Sequence, residues 1–207
     1  ELDINKNGNT TEKFAYEEKT QIINSVISTH QDLTTYVKTS ESNYSTGTVE
    51  TEYGSEYEYK LRVRTGSSEA TNLIIYTNLE ETNPKRISWK GEFLGIDTSY
   101  AESKGYTVKT YYSEKIDATN LLEDTSWKEY NDSIDKTKVK SLAFQYLDSN
   151  GNPAILPVNS LTYILIIMKA PSDENIKAVA YNNSWTEWNA IDPITEQPVD
   201  YITGINS

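Results

Sequence analysis

Cysteine is missing from the 207 residues. Disulfides, thiolate nucleophiles and cysteine-ligated zinc or iron–sulfur centres are therefore excluded. Histidine occurs once, as His30, which removes most imidazole-based metal sites and acid–base machinery. A Ser-His-Asp triad would have to use that residue, and no G-x-S-x-G segment accompanies it. A Gly-rich phosphate loop leading into a helix is also missing. No stretch approaches 18 consecutive apolar residues, so no helical membrane span is expected. The chain starts at Glu1 without the apolar core of a signal peptide, and it reads as a fragment of a longer exported protein. Basic residues are scarce, 19 against 31 acidic ones, for a net charge of −12. Such a chain repels nucleic-acid phosphates and anionic lipid, so neither is an expected partner.

Apolar residues make up 36% of the chain, below the roughly 45–50% of an average globular protein. Aromatic residues are 11%, and 16 of them are Tyr. This composition, with its many Thr and Ser, favours strands over helices. Period-2 patterning begins near residue 21. Ile22–Ser28 and Leu33–Thr39 are short strand-like runs. Tyr57, Tyr59, Leu61 and Val63 alternate with Glu58, Lys60, Arg62 and Arg64, the pattern of a half-buried strand. Asn72–Leu79 reads as a more central strand. Ile87–Ile96, Gly105–Tyr112, Val139–Leu147 and Val179–Asn189 supply further strands, and the tail through Pro198 is extended. Leu161–Lys169 is the most apolar run and reads as a central strand buried on both faces. Thr98–Lys104 is a short helical turn, and Ala118–Tyr130 a long connection.

Short strands at this spacing, without helical periodicity, predict an all-β fold: an antiparallel β-sandwich, immunoglobulin-like or adhesin-like, with long loops and at most short helical turns. The expected organisation is a loosely ordered lead-in over residues 1–20 and one sandwich domain over 21–207.

Candidate sites follow from residue type. Flat aromatic rings stack on sugars, which points to Trp127, Trp188 and Tyr130 as ligand-binding residues. Trp89 and Trp185 read as core, and Trp127, in polar surroundings, as the most exposed Trp. Glu187 shares a strand face with Trp185 while Trp188 points the other way, a poor arrangement for glycosidase carboxylates. Asp148, Asn150 and Asn152 place oxygen atoms at i, i+2 and i+4, a spacing used by calcium loops, although an Asn-Gly hairpin turn accounts for the same residues. Asp3, Asn5, Asn7 and Gly8 also resemble the start of a calcium loop, but its twelfth position is Phe14. No cofactor other than calcium is indicated.

The segment Tyr57–Leu79 (YEYKLRVRTGSSEATNLIIYTNL) joins an alternating aromatic strand to a small polar turn and a second strand. It resembles the conserved β-sandwich repeat domains of Gram-positive cell-surface adhesins. WKGEFLGIDTSY over 89–100, SLTYILIIMKAP over 160–171 and the Ala180–Asn183 step are similar in style. The resemblance implies a secreted, wall-anchored, non-enzymatic module on the bacterial surface, monomeric within a longer chain. It implies adhesion to a host or matrix protein or a glycan, or a role as a stalk. A carbohydrate-binding module is the alternative. The LPxTG-type sorting signal of such proteins is not in this sequence. Domains of this resemblance sometimes carry a lysine isopeptide crosslink, which requires a buried amine. Lys169, at the end of the most apolar strand, is the candidate.

Overall fold

The computed structural model describes residues 32–79, 89–173, 180–191 and 198–206, the residues 199–206 as backbone. The expected lead-in, the run Ile22–Ser28, the Asp3–Gly8 segment and His30 lie outside the described residues.

The described chain is an antiparallel two-sheet sandwich. Sheet A contains β1 (Asp32–Thr39), β2 (Glu56–Arg64), β8 (Leu161–Lys169) and β4 (Glu92–Asp97), in the order β1-β2-β8-β4. Sheet B contains β10 (Pro198–Asn206), β9 (Asn183–Ile191), β3 (Ala70–Asn78), β7 (Ser141–Leu147), β5 (Thr107–Ser113) and the two-residue β6 (Lys128–Glu129), in the order β10-β9-β3-β7-β5-β6. The helical turn expected near residue 100 is α1 (Ser99–Ser103), and a 3-10 turn spans Lys136–Lys138. The all-β, antiparallel sandwich expected from the sequence is thus observed.

The alternation in β2 sends Tyr57, Tyr59, Leu61 and Val63 inward. Across the gap, sheet B contributes Leu73, Ile75, Leu142, Phe144 and Trp188 to the same core. Each such side chain stabilises the fold by roughly 1.5–3 kcal/mol when withdrawn from water.

Two strands depart from expectation. Strand β8 is central, but it is not buried on both faces. Thr162, Ile164, Ile166 and Met168 point into the core, whereas Tyr163, Leu165, Ile167 and Lys169 lie half-buried on the outer face. Among the described residues no layer of chain covers that face completely, and its apolar residues are half-buried. Strand β3, by contrast, is buried on both sides along most of its length. Its outer residues Ile74 and Tyr76 are covered by the connection that carries Leu121 and Trp127.

Candidate functional site

An open groove of about 960 Å3 lies at the end of the sandwich where β1 stops and β2 begins. Its floor is the inward face of β2, where Tyr57 and Tyr59 meet edge to face with centroids 5.7 Å apart. Trp89 extends this aromatic surface, perpendicular to Tyr57 at 5.7 Å. The rim carries Tyr53, 46% exposed, and Tyr181, 44% exposed.

The remaining lining is rich in hydroxyls, among them Thr46, Thr48 and Thr51, with Asn182 and the carboxylates Glu50 and Glu52. Among its described lining residues there is no Lys, Arg or His. Chemically the groove offers flat rings for stacking and oxygen groups for hydrogen bonding.

Local backbone chemistry builds the groove's outer wall from residues 45–53. At one end of this loop, Val37 and Ser45 exchange backbone hydrogen bonds of 2.8 and 3.0 Å, closing the loop onto β1. The Ser42 hydroxyl also accepts the Thr39 N–H at 2.9 Å. At the other end Gly54 adopts φ +71°, a left-handed value that glycine tolerates at no steric cost. That conformation lets the Gly54 N–H donate to the Pro171 carbonyl at 3.0 Å, fastening the loop to the end of β8.

The outer face of sheet A clamps the same loop. Tyr44 folds over β2 so that the Lys60 ammonium sits 3.2 Å from its ring centroid, and its hydroxyl donates to Glu58. Lys60 also lies 4.8 Å from the Tyr163 ring, which stacks on Tyr100 of α1 at 3.9 Å and 15°. Arg62 covers Tyr36 at 4.8 Å and donates to the Thr34 hydroxyl at 3.0 Å. A desolvated cation over an aromatic face is worth up to about 2 kcal/mol. The Lys60 ammonium is shifted below its usual range, first by burial. The Tyr44 hydroxyl is pushed well up by burial and by its bond to Glu58.

The sequence-derived candidates do not converge. Trp188 is 3% exposed and packs between the sheets, so it is corrected from ligand residue to core. Trp185 is buried as expected, but on the outer face of sheet B, where it stacks on Tyr76 at 5.5 Å and 9°. The opposite directions expected for Trp185 and Trp188 are observed, because they lie three residues apart on β9 and an odd separation puts side chains on opposite faces. Trp127 is half-buried rather than freely exposed. Its ring packs 5.8 Å from Tyr76 and its Nε1–H donates to the Thr119 carbonyl at 3.1 Å. Tyr130 packs edge to face on Phe93 at 6.1 Å, away from Trp127 and at the margin of the inter-sheet core. Glu187 accepts the Tyr76 hydroxyl at 2.7 Å.

Asp148, Asn150 and Asn152 form a self-closed turn. The Asp148 carboxylate accepts the backbone N–H groups of Asn150 at 2.8 Å and Asn152 at 2.9 Å. Those bonds hold its carboxyl below the usual carboxylate range, led by the one from Asn152. Gly151, with φ +83°, completes the reversal. Among the described residues no three His, Cys, Asp or Glu side chains gather as a metal-binding group. Lys169 lies on the half-buried outer face, opposite Glu56 on one neighbouring strand and Glu92 on the other, and not in the buried setting a crosslink requires.

The groove residues escaped the sequence reading because Tyr53 and Tyr181 sit outside strands. The run YSTGTVETEYG over 44–54 did carry a signal, with hydroxyls, glycines and tyrosines between two strands. Comparison with known proteins finds no matching family model and no matching curated protein.

Proposed function

We propose that this chain is a non-enzymatic extracellular adhesion module from the surface of a Gram-positive bacterium, and that it engages its partner through the groove beside β1. The resemblance of its strands to surface-adhesin repeats supports the setting. The observation that carries the binding role is the groove's lining: aromatic rings on the floor and rim, hydroxyls and carboxylates on the wall, and a loop fastened at both ends. A preformed concavity of this kind reduces the ordering cost of binding. The immunoglobulin-like character expected from the sequence belongs with this reading.

The same lining favours a second reading, carbohydrate binding. Rings of Tyr53, Tyr181 and Trp89 suit the faces of sugar rings, and the threonine hydroxyls and Asn182 suit their hydroxyls. A matrix-protein peptide would draw on the same surface with less use of paired rings.

A combined glycan and matrix-protein array separates the possibilities. The expected result is retention of a glycan class or matrix protein by the wild-type chain. The folded Tyr53→Ala and Tyr181→Ala variants are expected to lose at least tenfold in affinity. A wild-type chain that retains nothing would return the module to a stalk role. Retention unaffected by both variants would move the contact surface elsewhere.

A further inference from the structure

A second cavity, of about 640 Å3, adjoins the groove. Ala170 and Pro171 line both. Trp89 lines the groove, and the next residue, Lys90, lines the second cavity. The two are therefore neighbouring compartments on either side of one strip of chain, with opposite chemistry. Among the described residues the groove has no cation. The second cavity has three, Lys90, Lys136 and Lys169, against the single carboxylate Glu92. In a chain with 31 acidic and 19 basic residues, that balance is reversed locally.

The fold positions these lysines. The pairing of β4 with β8 slips between Phe93 and Gly95, and the Lys136 ammonium donates to the Leu94 carbonyl within this irregularity. Its neighbour Asp135 is engaged elsewhere. The Asp135 carboxylate accepts both the N–H and the hydroxyl of Thr137 and pairs with Lys138 at 3.4 Å. Lys169 projects from the end of β8 on the same side, and Lys90 enters from the segment before β4. Glu56 and Glu92 flank Lys169, which leaves Lys90 and Lys136 as the cavity's excess cations, while the adjoining groove carries only the carboxylates Glu50 and Glu52. A ligand spanning both would set its anionic group at the lysines and its uncharged rings in the groove.

We propose that the groove's ligand is an acidic oligosaccharide, with uncharged rings in the aromatic groove and a carboxylate or sulfate held by Lys90, Lys136 and Lys169. This rests on the carbohydrate-binding reading above. The Ser172 hydroxyl, which also lines the second cavity, supplies a further donor for the acidic group.

The test is an array of matched pairs, each uronic-acid or sulfated oligosaccharide printed beside its carboxyl-reduced or desulfated form. The wild-type chain is expected to hold the acidic member at least tenfold more tightly, with the preference shrinking between 50 mM and 500 mM salt. The Lys90→Gln/Lys136→Gln/Lys169→Gln variant is expected to lose that preference and keep its binding to the neutral members. Lys90→Gln alone, at an exposed position, is expected to lose part of it without disturbing the fold. Equal binding of both members by the wild type would overturn the acidic-ligand proposal and leave the carbohydrate reading standing. Acid preference surviving in the triple variant would also overturn it, assigning the preference to cations such as Lys38 and Arg64. Failure to bind either member of any pair would overturn both readings.

Discussion

Replacing Tyr76 with Phe removes one oxygen atom from a side chain with no solvent exposure. That hydroxyl accepts the Leu121 N–H at 3.0 Å and donates to Glu187 at 2.7 Å. The substitution leaves a buried backbone donor without its partner and deprives a carboxylate of its donor. A buried unsatisfied group costs about 1–3 kcal/mol, and a bond to a charged acceptor contributes about 1.5–3 kcal/mol. The two losses share one atom and do not simply add, so the expected destabilisation is about 2–3 kcal/mol. The stacking of ring 76 on Trp185 is retained, because Phe keeps the ring. Urea unfolding followed by Trp fluorescence measures the change, and amide hydrogen exchange at Leu121 localises it. Leu121 should exchange faster in the variant, since its N–H no longer meets a fixed acceptor. A loss below about 0.5 kcal/mol with unchanged Leu121 exchange would refute the reasoning. It would mean that the connection over sheet B is not pinned by this hydroxyl.

Alkaline titration should separate two tyrosine classes. Burial raises the Tyr76, Tyr106 and Tyr146 hydroxyls, and burial with nearby Asp132 pushes Tyr130 up to about 12. A raised tyrosine favours the neutral form in the fold, so its stabilisation is complete below about pH 10 and is lost as pH rises through the folded-state value. Absorbance near 295 nm should therefore show an early exposed set and a late set that ionises together with unfolding; a single transition near pH 10 in a still-folded chain would contradict this. Gly54→Ala forces a left-handed residue to carry a Cβ, which would also approach the Ser172 hydroxyl to 3.2 Å. It should cost about 1 kcal/mol in urea unfolding and weaken groove binding, whereas an unchanged midpoint would show that the loop is not fastened there. Tyr44→Ala should lower groove affinity without touching the groove's lining, by releasing the clamp over Lys60. Calorimetric titration with the best array hit checks this, and unchanged affinity would separate the clamp from the groove.

Alternation made β2 legible, because a one-faced core demands period 2 and Tyr57, Tyr59, Leu61 and Val63 supply it. The position of β8 was legible too, since Leu161–Lys169 is the most apolar stretch, unbroken from Tyr163 to Met168, and Pro171 follows. Its exposure was not, because an unbroken apolar run cannot say whether a second layer covers the outer face. That layer lies over β3 instead, delivered by a polar connection with only Leu121 and Trp127 to reveal it. The four Trp residues show the same limit. Strand parity separated Trp185 from Trp188, yet parity does not say which face meets the other sheet. The groove was least legible of all, because its rim comes from loop residues and its floor from tyrosines indistinguishable in one dimension from ordinary core.

The most direct test of the groove as the contact surface is an amide chemical-shift titration of the isotope-labelled chain with the strongest array hit. Shifts should cluster at residues 45–53, at Trp89 and at Tyr181, spreading to Lys136 and Lys169 when the added glycan is acidic. Shifts centred on Trp127 and Glu187, across the outer face of sheet B, would contradict the assignment of the groove.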